Sequence, residues 1–159
     1  AKTLFPYTTL FRSDGIDHIT VVPNGIPVAP APASMAEAPV AVFAGRLVRE
    51  KGVDTLLQAF ARVHATLPQA SLDIIGDGAE RAALEALRST LGLDAIVRFH
   101  GVQSRVQTEA IARAAWVQVV PSRWAEPFGL VAAEAMMRGT AVVASISTAS
   151  CDSKSAPAR

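Results

Sequence analysis

Short apolar runs alternate along this chain with segments of helical period, and each apolar run is closed by a turn residue. Val40–Ala44, Leu72–Ile75, Ile96–Phe99, Trp116–Val120 and Ala141–Ala144 read as strands. The continuously apolar Val40–Ala44 run predicts a strand buried on both faces. Between the first two runs, Val53, Leu56, Leu57, Phe60 and Val63 recur at i, i+3, i+4, i+7 and i+10, one face of a helix. Ala83, Leu84, Leu87 and Leu91 predict a second helix stopped by Gly92; Glu109–Ala114 predicts a third, weaker one. Phe128–Met137 predicts a fourth, with Gly139 past its end and Met136 and Met137 following its core pattern. Strand–helix alternation of this kind predicts a parallel, Rossmann-like sheet flanked by helices.

Composition fits that architecture. Of 159 residues, 50% are hydrophobic and 18% charged, which suits one domain with a covered sheet. The formal charge of +1 offers no global attraction to nucleic acid, so none is expected as a partner. No apolar run approaches the roughly 18 residues needed to span a bilayer. The first residues lack the order of a secretory signal, and a cytoplasmic location is expected. The lone Cys151 cannot form an internal disulfide. No Cys/His spacing indicates a metal site.

The two ends read differently from the middle. Thr3–Ser13 is TLFPYTTLFRS, which resembles the one-frame translation of a short-read sequencing adapter. Residues 1–13 are therefore expected to be an adapter-derived scar, although their β-forming residues also fit a strand. Residues 14–39 read as a lead-in strand at Ile19–Val22 followed by a Pro/Ala-rich linker. Residues 40–146 form the expected domain, and residues 147–159 an irregular tail.

In a parallel sheet of this type, ligands bind beyond the carboxyl ends of the strands. The relevant loops are Gly45–Gly52, Gly76–Glu80, His100–Arg105 and Pro121–Phe128. In the first, Arg46 and Lys51 precede a helix and suit a pyrophosphate, Arg as a fork of donors and Lys as a point charge. By spacing alone they serve equally as solvated loop charges. In the last, Pro127 is placed as a helix-starting proline, and the amides of Phe128, Gly129 and Leu130 fall at a helix N-terminus. Gly129 permits close backbone approach of a ligand. Glu126 and Glu134 can each accept hydrogen bonds from vicinal hydroxyls. Spacing alone favours the plainer reading, with Glu126 a favourable anion at a helix N-terminus and Glu134 an exposed helix residue. Trp124 fits either the site or loop packing. His64, His18 and His100 carry no catalytic pattern, and a structural role is favoured for His100.

GRLVREKG, IIGDGAER and EPFGLVAAEAMMRGTAVVAS, in this order, resemble the C-terminal domain of glycosyltransferase family 4, which has the two-domain GT-B architecture. VVPNGI at Val21–Ile26 resembles the segment leading into that domain, and the likeness runs from Ile19 to Ser145. The resemblance implies retaining transfer from a UDP-, GDP- or ADP-sugar without cofactor or obligatory metal. Gly45, Arg46 and Lys51 would hold the donor diphosphate, Arg46 and Lys51 stabilising its departure. Glu126 would contact donor-sugar hydroxyls as a third catalytic residue. The amides of Phe128, Gly129 and Leu130 would face sugar and phosphate, and Glu134 would bind the ribose. Phe99–Gly101 would lie near the base.

The same resemblance implies that an acceptor (glycan, lipid or small molecule) binds through a further, N-terminal domain. It also allows peripheral membrane association of the complete protein. On that reading this chain alone recognises donor without transferring sugar. The sequence departs from the family pattern at Pro27, where an acidic residue is common, and at Ala141, where proline is usual. A Gly-rich turn with a further Glu is absent after Ser145.

Two rival readings remain at this point. Gly76–Arg81 is GxGxxR, a broken dinucleotide fingerprint that would fit an NAD-dependent oxidoreductase. The chain could also be a remnant without ligand binding.

Overall fold

A computed structural model describes residues 36–124 and 129–145. The predicted strand at Ile19–Val22, the scar and most of the linker and tail lie outside the described residues. Among those described, five parallel strands form one sheet: β1 (Val40–Ala44), β2 (Ser71–Ile75), β3 (Val97–Gly101), β4 (Val117–Val120) and β5 (Ala141–Ala144). Their connections carry α1 (Val53–Thr66), α2 (Arg81–Thr90), α3 (Arg105–Ala114) and α4 (Leu130–Arg138). The spatial order is β3-β2-β1-β4-β5, so the chain winds outward from β1 in one direction and then in the other. The Rossmann-like sheet expected from the sequence is the observed fold.

Side-chain alternation along β1 feeds two cores. Phe43 joins Leu56, Leu57 and Phe60 of α1, Leu72 and Ile74 of β2, and Leu84 of α2. Val42, on the opposite face, joins Ile75 with Ala112 and Ala115 at the end of α3. Burial on both faces explains why β1 reads as a continuous apolar run. Val63 is exposed: at 100° per residue it falls at the edge of the α1 stripe rather than within it. Ala83 likewise lies outside the buried side of α2, which is centred on Leu84.

Helix α3 starts four residues earlier than its apolar pattern indicates. Ser104 caps it by accepting from the Gln107 amide, while Gln107 Oε1 accepts from the Ser104 amide at 3.0 Å. This reciprocal cap supplies the N-terminus that hydrophobic period alone cannot locate.

Met136 and Met137 do not fill the core. The inward face of α4 is formed by Ala135 and Arg138, and Met136 is 62% exposed. Arg138 Nη1 donates to Glu109 Oε2 at 3.0 Å, which ties α4 to α3. Position 135 dictates this phase, since Met136 and Met137 lie roughly 100° and 200° around the helix from it.

A charged cluster sits on the β2–β3 pair. Asp73, 5% exposed within an otherwise apolar strand, accepts from Arg98 Nε at 2.7 Å and Nη2 at 3.0 Å. His100 Nε2 lies 2.7 Å from Asp73 Oδ1, and an ionised carboxylate can only accept, so the ring donates. Burial raises the Asp73 pKa, but the hydrogen bonds and charges of Arg98 and His100 outweigh it and hold the carboxyl below its ordinary value. His100 therefore has the structural role favoured from the sequence.

Two outcomes follow for stability. At Gly76 the backbone has φ +126° and a Cβ would strike the Gly45 carbonyl oxygen, so Gly76→Ala is expected to cost at least ~2 kcal/mol. A urea midpoint unchanged from wild type would contradict that. Because the folded Asp73 carboxyl titrates below its unfolded value of 3.8, its stabilising contribution is intact above about pH 4 and is lost as pH falls through the folded value. The stability difference between wild type and Asp73→Asn should therefore be constant near neutrality and shrink on acidification, as read from urea unfolding at successive pH values.

Candidate functional site

The reversal of strand order falls between β1 and β4, which pair through Ala41↔Val117 and Val42↔Gln118. In a sheet of this topology, the crevice for a ligand opens beyond the carboxyl ends at such a point. Two of the four predicted ligand loops begin there: the β1–α1 loop, with Arg46 and Lys51, and the β4–α4 loop.

The first loop is pinned on the β2 side. The Gly45 amide donates to the Ile75 carbonyl at 2.9 Å, and Leu47, fully buried, donates to the Asp77 carbonyl at 2.9 Å. Arg46 lies between these two fixed residues and is exposed. A short 3-10 turn, Arg49–Lys51, follows, and α1 begins after Gly52. Lys51, at the end of this turn, is half-buried.

The loop after β4 packs on that turn. The Arg123 amide donates to the Glu50 carbonyl at 2.8 Å, and a Cβ at Gly52 would meet the Pro121 carbonyl oxygen. Ser145 holds the same segment from β5, its amide donating to the Val120 carbonyl at 3.0 Å and its hydroxyl to the Ser122 carbonyl. The structure thus brings together the backbones of the two loops that the sequence singled out separately.

Helix α4 begins at Leu130, with Gly129 as its N-cap at φ 58°. Pro127, expected as the helix-starting proline, lies outside the described residues. Leu130 is exposed and Glu134, one turn on, is half-buried. Glu126 and Phe128 lie outside the described residues. Trp124 is 65% exposed.

The other two loops have different uses. His100 and Gly101 belong to β3, which narrows the third loop and removes His100 from it. The glycines of the GxGxxR segment face protein: a Cβ at Gly76 would strike the Gly45 carbonyl, and one at Gly78 the Leu47 carbonyl. Asp77 accepts from the Gly78 amide at 2.7 Å and from Arg81, a turn role. The close approach these glycines permit is to the Gly45 and Leu47 carbonyls of the β1–α1 loop, so protein backbone fills the space that a dinucleotide pyrophosphate would need there. Sequence reasoning missed Asp73, whose only signal was a carboxylate inside an apolar run. It also missed Arg123, whose side-chain partners lie 69 and 68 residues away.

Among the described residues, no group of three or more His, Cys, Asp or Glu side chains is placed to hold a metal ion. None of the described helices is long and apolar enough to cross a membrane.

Residues 30–152 match the family model described as glycosyl transferases group 1. The lipopolysaccharide core biosynthesis glycosyltransferase LpsE of Rhizobium meliloti is 42% identical over 108 residues, covering 68% of this chain and 30% of LpsE. The structure of Anabaena HepE in complex with UDP and glucose aligns with a TM-score of 0.59 at 32% identity, over 66% of this chain and 29% of HepE. The C-terminal domain of LpcC, a group 1 family protein of Francisella tularensis, aligns with a TM-score of 0.61 at 27% identity, over 69% of this chain and 59% of that domain. The chain spans about a third of the length of curated relatives such as LpsE. With most of its length matched by the group 1 model and its sheet shared with GT-B glycosyltransferases, the chain belongs to the group 1 glycosyl transferases.

Proposed function

We propose that this chain forms the donor half of a retaining glycosyltransferase of family 4, binding a nucleoside-diphosphate sugar at the crevice between β1 and β4. The observation that carries the reading is the hydrogen-bonded contact between the loop bearing Arg46 and Lys51 and the segment leading towards α4. Two cations beside one loop of a strand-order reversal suit a diphosphate, and α4 adds first-turn amides on the other side. A relative of the same fold, HepE, is described in complex with UDP and glucose.

In this reading Gly45, Arg46 and Lys51 hold the diphosphate. As the bond from the sugar to the diphosphate breaks, charge grows on the departing phosphate oxygen, and Arg46 and Lys51 stabilise it electrostatically. Glu126 contacts sugar hydroxyls, the amides of Phe128, Gly129 and Leu130 face sugar and phosphate, and Glu134 takes the ribose hydroxyls. The base is that of a UDP-, GDP- or ADP-sugar, and no cofactor enters the scheme. The donor-binding domain is residues 40–146. A further domain of the complete protein positions a glycan, lipid or small-molecule acceptor, with peripheral membrane association and a cytoplasmic location. The present chain then binds donor nucleotide without transferring sugar.

Calorimetric titration of the 159-residue chain with UDP, GDP, ADP, pyrophosphate and NAD tests the assignment. At least one nucleoside diphosphate should bind and NAD should not. Arg46→Ala and Lys51→Ala should each weaken binding about tenfold or more, equivalent to ~1.4 kcal/mol. Glu134→Gln should weaken nucleotide but not pyrophosphate. Binding of NAD in preference to every nucleoside diphosphate, or robust sugar transfer by this chain, would contradict the proposal.

A further inference from the structure

Arg123 joins the two loops at their closest approach. Its backbone amide donates to the carbonyl of Glu50, the residue before Lys51. Its Nη2 donates to Asp54 Oδ2 at 2.6 Å and to Thr55 Oγ1 at 2.9 Å, in the first turn of α1. Position 51 is thus bracketed from both sides by one residue of the opposite loop. The Gly52 backbone between these anchors lies against the Pro121 carbonyl, with no room for a Cβ. Burial raises the Asp54 pKa, but hydrogen bonds from the Arg123 side chain and the Thr55 amide, with the Arg123 charge, outweigh it, so the carboxylate stays ionised as the Arg123 acceptor.

We propose that Arg123 is a positioning residue for donor binding, clamping the turn that carries Lys51 to the segment leading into α4. This rests on the donor reading above. The guanidinium touches no ligand in this account. It fixes the cationic loop against the Pro121–Arg123 segment of the opposite loop, so that the Lys51 turn meets a diphosphate without reordering on binding. A lysine replaces it only in part, because its ammonium is a strongly hydrated point charge on a flexible stem, whereas Nη2 is held at the end of a planar guanidinium.

Amide hydrogen exchange and UDP titration of the full 159-residue chain test the clamp together. In Arg123→Ala, exchange should rise about fivefold or more at residues 47–55 and 122–124, while Leu72–Ile75 and Val97–Gly101 keep wild-type protection. UDP affinity should fall roughly three- to tenfold, the range for a partly exposed ion pair backed by a second hydrogen bond. Arg123→Lys should recover part of that loss. Asp54→Asn removes the charge of one acceptor and Thr55→Val removes the other acceptor, both without touching the β4–α4 loop, and both should reproduce the local exchange. The double variant Arg123→Ala/Asp54→Asn should bind UDP no more weakly than Arg123→Ala alone.

Exchange that rises uniformly over the sheet, or additive losses in the double variant, would make Arg123 a general stabiliser and overturn the clamp. Unchanged loop exchange in Arg123→Ala, Asp54→Asn and Thr55→Val would overturn it too. A wild-type chain that binds no nucleoside diphosphate would overturn the donor reading. In that event the exchange measurements alone decide whether Arg123 clamps the loops.

Discussion

The parallel pairing of β1 with β4 is the constraint on which the site depends. It is short, with a register through Ala41↔Val117 and Val42↔Gln118, yet it joins strands separated by two complete strand–helix units. Without it the first half of the chain would be a β-α-β-α-β layer with no crevice. With it, two loops far apart in sequence emerge side by side from the carboxyl ends of adjacent strands. The connections are right for this: α1 and α2 share the core built on Phe43, while α3 covers Val42 from the other face.

Close backbone contact then turns neighbouring loops into one fixed surface. Gly76 and Gly52 are the points of nearest approach, the first against the Gly45 carbonyl and the second against the Pro121 carbonyl. Both positions have φ in the left-handed or otherwise glycine-favoured region, so side-chain volume and backbone strain oppose substitution together. A row of such contacts runs from the β2–α2 loop through the β1–α1 loop to the β4–α4 loop. Arg46 and Lys51 occupy the middle member of this row, held from both sides.

Much of this was legible in the residues. A continuous apolar run identified β1 because both faces of that strand are covered, and the Leu56, Leu57 and Phe60 spacing identified α1 because one stripe faces the sheet. The loops worth attention could be chosen from topology alone, since strand–helix alternation already implies which strand ends matter. Local signals failed where distant geometry decides. Nothing near Arg123 announces Asp54, and Met136 and Met137 look like core residues until Ala135 and Arg138 set the phase of α4. The GxGxxR segment looks like a phosphate loop because glycines signal close approach without saying what approaches. Here the Gly45 and Leu47 carbonyls fill the space. Membership of the group 1 glycosyl transferases was carried by ordered motifs, which a period-based reading cannot supply.

In the proposed donor site a nucleoside diphosphate sits at the β1/β4 reversal, between the Lys51 turn and the α4 N-terminus. Two-dimensional amide NMR of the chain titrated with UDP, GDP or ADP tests that most directly. The account predicts saturable shifts concentrated at Gly45–Gly52, Ser122–Trp124 and Gly129–Glu134, with the amides of Asp77–Arg81 and the body of α2 little affected. Shifts centred on Gly76–Arg81 instead, or none with any of the three nucleotides, would contradict it.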